Sequence, residues 1–217
     1  MSSAEPRREP WVAAIVLAAG QSRRMGFPKA LLPIAGHTFV QHVVAALAAS
    51  RVAAIYLVLG SDAERIRREV DVTPARIVLN EQWELGQLSS LVAGLRALPT
   101  AEVDAVIMAL VDHPLIEPAV VDAIIAAYAA TARPIVVPVH EGRRGHPVLF
   151  AASLIPELLA APLEEGARAV VRAHAAEVLE VPAPAPGVLA DIDTPELYAE
   201  WVLRPESGMG APPAGGG

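Results

Sequence analysis

Short runs of fully apolar, largely β-branched residues alternate with longer segments of helical periodicity along nearly the whole chain, and this alternation restricts the fold more than any other feature. The runs are Val12 to Ala18, Ala54 to Leu59, Ala75 to Leu79, Ala105 to Leu110, Pro134 to Val139 and Ala176 to Val181, with a shorter one near Val188. A strand without polar alternation has both faces buried, as in a parallel sheet covered on each side by helices. The helical segments are Thr38 to Ala49, Asp62 to Val70, Leu88 to Ala97, Glu117 to Ala130, Ser153 to Leu159, Gly166 to His174 and Pro195 to Leu203. Asp62 after Ser61, and Thr194 before Pro195, carry the chemistry of helix starts. An α/β fold follows, three-layer α/β/α and Rossmann-like, with a mostly parallel sheet. One interruption, Val139 to Phe150, reads as a hairpin excursion with a glycine-rich tip. Residues 1–10 and 204–217 read as disordered ends flanking one domain at 11–203.

The 217 residues suit a single domain, and 53% hydrophobic against 19% charged residues exclude an intrinsically disordered chain. The apolar excess does not imply a membrane span. The run from Val12 stops at Gly20 and that from Ala105 stops at Asp112, well short of the ~18 residues a spanning helix needs. The polar start, Met1 to Pro10, is unlike a secretion signal, and the sequence contains no cysteine, so no disulfide, thiolate metal site or cysteine nucleophile is available. A cytoplasmic location is expected. A net charge of −7 argues against general nucleic-acid binding, while leaving room for a local phosphate site.

In open α/β sheets ligands bind beyond the carboxyl ends of the strands. The loop there reads Leu17-Ala18-Ala19-Gly20-Gln21-Ser22-Arg23-Arg24-Met25-Gly26-Phe27-Pro28-Lys29. Small residues and glycines let backbone amides approach a ligand, Ser22 adds a donor, and Arg24 and Lys29 add positive charge, which together suit a phosphate. The spacing is neither a Walker A loop nor the dinucleotide fingerprint, which disfavours a generic Rossmann oxidoreductase.

This string resembles the signature of MobA-like nucleotidyltransferases, L-A-[AG]-G-x-S-x-R-M-G-x-x-K, and within them most nearly the molybdenum cofactor cytidylyltransferase branch. The resemblance implies a GT-A-type nucleotidyltransferase that transfers CMP from CTP to the terminal phosphate of the molybdenum-bearing pterin. It implies nucleotide contacts at Leu17, Ala18, Ala19, Gly20, Ser22, Gly26 and Lys29, with Arg24 also on the phosphates and Arg23 at a variable position. Ala19, where the guanylyl branch tends to have Gly, tilts the base choice toward CTP.

Two carboxylates lie at distant strand ends, Asp112 in Val111-Asp112-His113-Pro114 and Asp193 in Asp191-Ile192-Asp193-Thr194-Pro195-Glu196. Nucleotidyl transfer needs Mg²⁺ to offset charge on the leaving pyrophosphate, and Mg²⁺ takes a few carboxylates plus water. By resemblance, Asp112 of D-x-P and Asp193 of D-T-P-E are the metal ligands; Asp191 is a weaker candidate. Lys29, Arg24 and Asp112 form the expected catalytic set.

Asn80, Gly86, Gln87, Ser89 and Ser90 present amides and short hydroxyls suited to a nucleobase edge and ribose, in a segment similar to the family's N-x(4–5)-G-x-x-[ST]-S. Trp83 reads as a packing residue. Arg144-Gly145-His146-Pro147 resembles the cytidylyltransferase R-G-H-P element that faces the acceptor, and basic residues there suit a phosphate-bearing, molybdopterin-type partner. Arg168 follows Gly166-Ala167 as in the family, but the preceding G-D is absent. A molybdenum enzyme or its chaperone is a possible protein partner. The competing readings are a nucleotidyltransferase of the same fold using GTP or another acceptor (methylerythritol phosphate, phospholactate, a sugar phosphate) and a non-catalytic molybdenum cofactor chaperone.

Overall fold

The computed structural model describes residues 8–99 and 102–203. Of the disordered ends expected from the sequence, most positions lie outside those residues; Arg8 and Glu9 lie inside and make exposed ion pairs with Asp104 and Arg51.

The strands are β1 (Val12–Ala18), β2 (Pro33–Ile34), β3 (His37–Thr38), β4 (Ala54–Leu59), β5 (Arg76–Leu79), β6 (Ala105–Leu110), β7 (Ile135–His140), β8 (Arg143–Arg144), β9 (Val148–Ala151) and β10 (Val178–Pro182). The helices are α1 (Phe39–Ala48), α2 (Ala63–Glu69), α3 (Gln87–Arg96), α4 (Pro118–Thr131), α5 (Ile155–Ala160), α6 (Ala167–Ala173) and α7 (Pro195–Tyr198). The main sheet runs β10-β7-β9-β6-β1-β4-β5, with β8 paired to β7. The β6-β1-β4-β5 and β10-β7 pairs are parallel, while β9 runs antiparallel to both β6 and β7, so the sheet is mostly parallel.

Every residue of β1 is buried, and the period-2 alternation splits them between two cores. Val12, Ala14 and Val16 pack with Phe39, Val43 and Leu47 of α1 and Ile124 of α4. Ala13, Ile15 and Leu17 pack with Leu91 and Leu95 of α3 and Leu158 of α5 on the other face. This is the three-layer α/β/α arrangement expected from the continuous apolar runs.

The element positions agree with the sequence reading to within about two residues, with three differences. Near Val188 there is no strand; Pro186–Leu189 form a 3₁₀ turn, because Pro186 cannot donate to a ladder and the backbone at Gly187 lies directly against the Leu115 carbonyl. The last helix is not regular throughout but continues beyond α7 as a π-helical segment, Ala199–Leu203. A small β2-β3 hairpin, turned by Ala35 and Gly36 at positive φ, went unread in the sequence.

The strand order sets the site. Successive strands β1, β4 and β5 step one way, and β6 lies on the other side of β1, so the chain opens a crevice beyond the carboxyl ends of β1 and β6. The loops that follow these two strands flank it.

Candidate active site

The loop after β1 curls back on itself. Met25 N donates to Ser22 O (3.0 Å), Ser22 and Gly26 take positive φ values of 51° and 64°, and Ser22 Oγ accepts from Lys29 N (3.0 Å). A non-glycine residue in the left-handed region is sparsely populated, and here the hydroxyl contact holds it. Leu17, Ala18, Ala19, Gly20, Ser22, Arg24 and Lys29 line a cleft of about 360 Å³, which also takes in Gly86, Gln87, Ser90, Asp112 and Asp193. Gly26 lies in a shallower groove beside it.

Lys29 Nζ lies 2.8 Å from Asp112 Oδ2, with side chains only 16% and 22% exposed, and Arg24 Nη1 lies 2.6 Å from Asp193 Oδ2. Each cation expected on the phosphates is thus neutralised by a carboxylate expected on the metal. Three backbone contacts hold the rim together: Val111 N to Leu17 O (3.2 Å), Ile192 N to Asp112 O (2.8 Å) and Ser61 N to Ala19 O (3.2 Å). Thr194 Oγ1 accepts from Leu197 N (3.3 Å) and caps α7, fixing the end of the Asp191–Asp193 segment.

Asn80 and Ser89 do not line the cleft. Asn80 is buried, donates from Nδ2 to Ser89 Oγ (2.9 Å) and Ser90 Oγ (3.1 Å), and accepts from Gln82 N (3.0 Å). This closed set braces the turn that presents Gly86, at φ 95°, and Gln87 at the start of α3. The free amides and positive dipole end of that helix therefore face the cleft. Other residues that line the cleft, among them Asp62, Ile66, Pro28 and Ala30, were not expected at the site from the sequence, where Asp62 reads only as a helix start. Trp83 both packs against the core and lines the cleft, and its Cβ stands where a side chain at Gly60 would have to be.

A second cavity of about 600 Å³ shares Arg24, Lys29, Gln87, Asp112 and Asp193 with the first. Its floor is apolar, with Met108, Val137, Val148 and Phe150, and Arg144, Gly145, His146 and Arg168 complete the wall; Pro147 does not reach it. Gly145 is required because its backbone lies against the Val188 carbonyl. Arg144 pairs with Glu180 (2.8 Å) and Arg172 with Glu165, while Arg168 makes no ion pair among the described residues.

His113 and His146 lie against each other in this wall, ring centroids 4.8 Å apart and planes tilted by 53°. Burial, and then the neighbouring His113, push the His146 pKa down to about 4. Burial lowers the His113 pKa as well, against the pull of Asp112 and Asp191. Partial burial, and then Asp112, raise that of Asp191. Asp112, His113 and Asp191 each offer a donor atom, all within 4.8 Å of one another. His113 Nδ1 is enclosed with no hydrogen-bond partner among the described residues. These donors fit a divalent cation. Asp193, ranked ahead of Asp191 in the sequence, is the one paired with Arg24.

The fold and the two-part crevice define a nucleotidyltransferase-type α/β domain. The model of the MobA-like NTP transferase domain matches residues 14–178, and the chain belongs to that family. Nicotine blue oxidoreductase of Paenarthrobacter nicotinovorans is 33% identical over 175 residues, 75% of this chain and 82% of that protein. Purine catabolism protein PucB of Bacillus subtilis is 29% identical over 88% of this chain and 96% of its own length. Among solved structures, Rv0371c of Mycobacterium tuberculosis superposes with a TM-score of 0.79 at 25% identity, covering 89% of this chain and 98% of that one. That protein has also been solved in complex with manganese (TM-score 0.72). Molybdopterin-guanine dinucleotide biosynthesis protein A of Archaeoglobus fulgidus shares the fold, with a TM-score of 0.66 at 18% identity over 89% and 98% of the two chains. No helix among the described residues is long and apolar enough to cross a membrane.

Proposed function

We propose that the protein transfers CMP from CTP to the terminal phosphate of a molybdopterin-type acceptor and releases pyrophosphate. The observation that carries this reading is the interlocked pair of ion pairs, Lys29 with Asp112 and Arg24 with Asp193, at the crevice between β1 and β6. A nucleoside triphosphate with its cation can exchange partners there. Asp112 and Asp193 would then be free to hold the cation while Lys29 and Arg24 take phosphate oxygens, so neither sign of charge is left alone.

Leu17 to Gly20, Ser22, Gly26, Gly86, Gln87 and Ser90 bind the nucleotide, and Asn80 and Ser89 hold the Gly86 turn in place. The acceptor lies in the second cavity, its ring over the apolar floor and its phosphate toward Arg144, Gly145, His146 and Arg168, with Pro147 fixing the strand beneath. An acceptor phosphate oxygen is already ionised at neutral pH, so no strong general base is needed. It attacks the α-phosphorus of CTP, the bond to the bridging oxygen breaks, and pyrophosphate leaves in line. Lys29 and Arg24 stabilise the charge that builds on the transferred and leaving groups. A divalent cation held by the carboxylates would supply further charge neutralisation, and Mg²⁺ is the ion that the family resemblance implies. A cytoplasmic location and delivery of the product to a molybdenum enzyme or its chaperone belong to the same reading.

Calorimetric titration with Mg²⁺ present tests the donor: CTP should bind more tightly than GTP, and GTP binding as tightly or more so contradicts the choice of base. Binding of CTP with no pyrophosphate released on adding the pterin acceptor would mark a chaperone. The oxidoreductase relative supports a second reading, a redox step on a flat heteroaromatic substrate over the apolar floor. Oxidation of a nicotinamide or flavin donor without pyrophosphate release would favour it.

A further inference from the structure

We propose that His113 is itself a metal ligand, and that the Asp112–His113–Asp191 cluster prefers a transition-series divalent cation over Mg²⁺. This rests on the metal-assisted reading above and names a ligand that the sequence did not.

Three features of the fold bring these side chains together. Asp112 lies just beyond β6, and the turn closed by His113 N on Leu110 O (3.1 Å) follows immediately. The hydrogen bond from Ile192 N to Asp112 O carries Asp191 alongside. The donor atoms of all three then fall within 4.8 Å of one another. His113 is only 5% exposed, yet its Nδ1 has no hydrogen-bond partner among the described residues. The adjacent, tilted ring of His146 supplies none, since its own Nδ1 is equally unpartnered. An enclosed polar atom without a partner is uncommon, and this one belongs to a side chain that lines the cavity beside two carboxylates. Asp191, by contrast, is exposed and leaves the cluster open to an entering ion. Lys29 occupies Asp112 Oδ2, so the other carboxylate oxygen is left for a cation.

The donor set has a consequence for selectivity. Mg²⁺ demands oxygen ligands and retains water, whereas imidazole nitrogen suits Zn²⁺, Fe²⁺ and Ni²⁺ best, and Mn²⁺, the weakest of the transition series, still accepts it more readily than Mg²⁺ does. A mixed set of two carboxylates and one imidazole therefore discriminates against Mg²⁺.

Mn²⁺ alone is the probe, titrated into the full chain without nucleotide and followed by loss of the free-ion electron paramagnetic resonance signal, with Mg²⁺ as competitor. Displacement should require roughly a tenfold or greater excess of Mg²⁺. The electron spin-echo spectrum of bound Mn²⁺ should show nitrogen modulation from a coordinated imidazole. His113→Leu should abolish the modulation and weaken Mn²⁺ binding about tenfold or more, while His146→Leu retains the modulation. Absence of Mn²⁺ binding, equal affinity for Mg²⁺, bound Mn²⁺ without nitrogen modulation, or modulation that survives His113→Leu each overturns the proposal. If His113→Leu does not fold, modulation in the unaltered protein, kept in His146→Leu, decides it. A protein that binds Mn²⁺ through nitrogen but releases no pyrophosphate retains this site and loses the proposed reaction. The converse result retains the reaction and loses the site.

Discussion

Lys29 and Asp112 stand 83 positions apart in the chain and 2.8 Å apart in space, and their pairing holds a largely buried ammonium in the crevice proposed for the triphosphate. With Lys29→Ala the ground-state contacts of the triphosphate to backbone amides persist, while stabilisation of developing charge is lost. Steady-state kinetics should show kcat reduced about 100-fold with KM for CTP changed less than about threefold. Equal losses in kcat and affinity would contradict a transition-state role. The imidazole of His146 adds a pH dependence. Its pKa is about 4 in the folded protein against 6.5 ordinarily, so between those values the unfolded chain binds the extra proton. The stability that comes from keeping this ring neutral is complete above about pH 6.5 and is lost as the pH falls toward 4, by up to about 3 kcal/mol. His113 acts in the same direction, and Asp191, with its raised pKa, partly opposes both. Urea midpoints at pH 7 and pH 5 check this: His146→Leu should flatten the drop, and an undiminished drop would contradict the assignment.

Among the elements, the turn before α3 shows how a residue can serve a site without touching it. Asn80 satisfies two serine hydroxyls and one backbone amide in a buried setting, so Asn80→Ala should cost about 2 kcal/mol of stability and raise KM for CTP through the loosened Gly86 turn. Denaturation and kinetics on the same variant separate the two effects. A Cβ at Gly60 would stand 2.5 Å from the Ala19 carbonyl oxygen and 2.6 Å from the Trp83 Cβ. Gly60→Ala must therefore push apart two walls of the nucleotide cleft, at a cost of about 1–3 kcal/mol, with the loss of CTP affinity exceeding that of a distant variant of equal stability. The motif around Asn80 was legible in the sequence, but its use as a brace was not, because side-chain hydrogen bonding within a segment looks the same as hydrogen bonding offered to a ligand. Asp191 and Asp193 make a similar case. An extended segment would send both side chains the same way, but Asp191 N donates to Leu189 O (2.9 Å) in a tight turn, and the two carboxylates take different partners.

At the level of the whole molecule, the strands and the layering were readable because burial on both faces, complete in β1 and nearly so in β4 and β6, leaves these strands apolar apart from the Tyr56 hydroxyl. The order of the strands was not readable. Insertion of β9 between β6 and β7, antiparallel to both, rests on a local return against β7, which the hairpin reading covers, and on a pairing with β6 some forty residues earlier that no local pattern encodes. That insertion carries Val148 and Phe150 to the floor of the second cavity and Gly145 and His146 to its wall, and so it builds the half of the crevice proposed for the acceptor. In the proposed reaction the two halves join one nucleotide to one phosphate acceptor. The direct measurement is product analysis after incubating the protein with CTP, divalent cation and purified molybdopterin-type cofactor. A cytidine dinucleotide of the pterin and pyrophosphate should form in equal amounts, both absent when CTP is replaced by GTP. Pyrophosphate formed equally from GTP, or acceptor recovered unchanged while CTP stays intact, would contradict it.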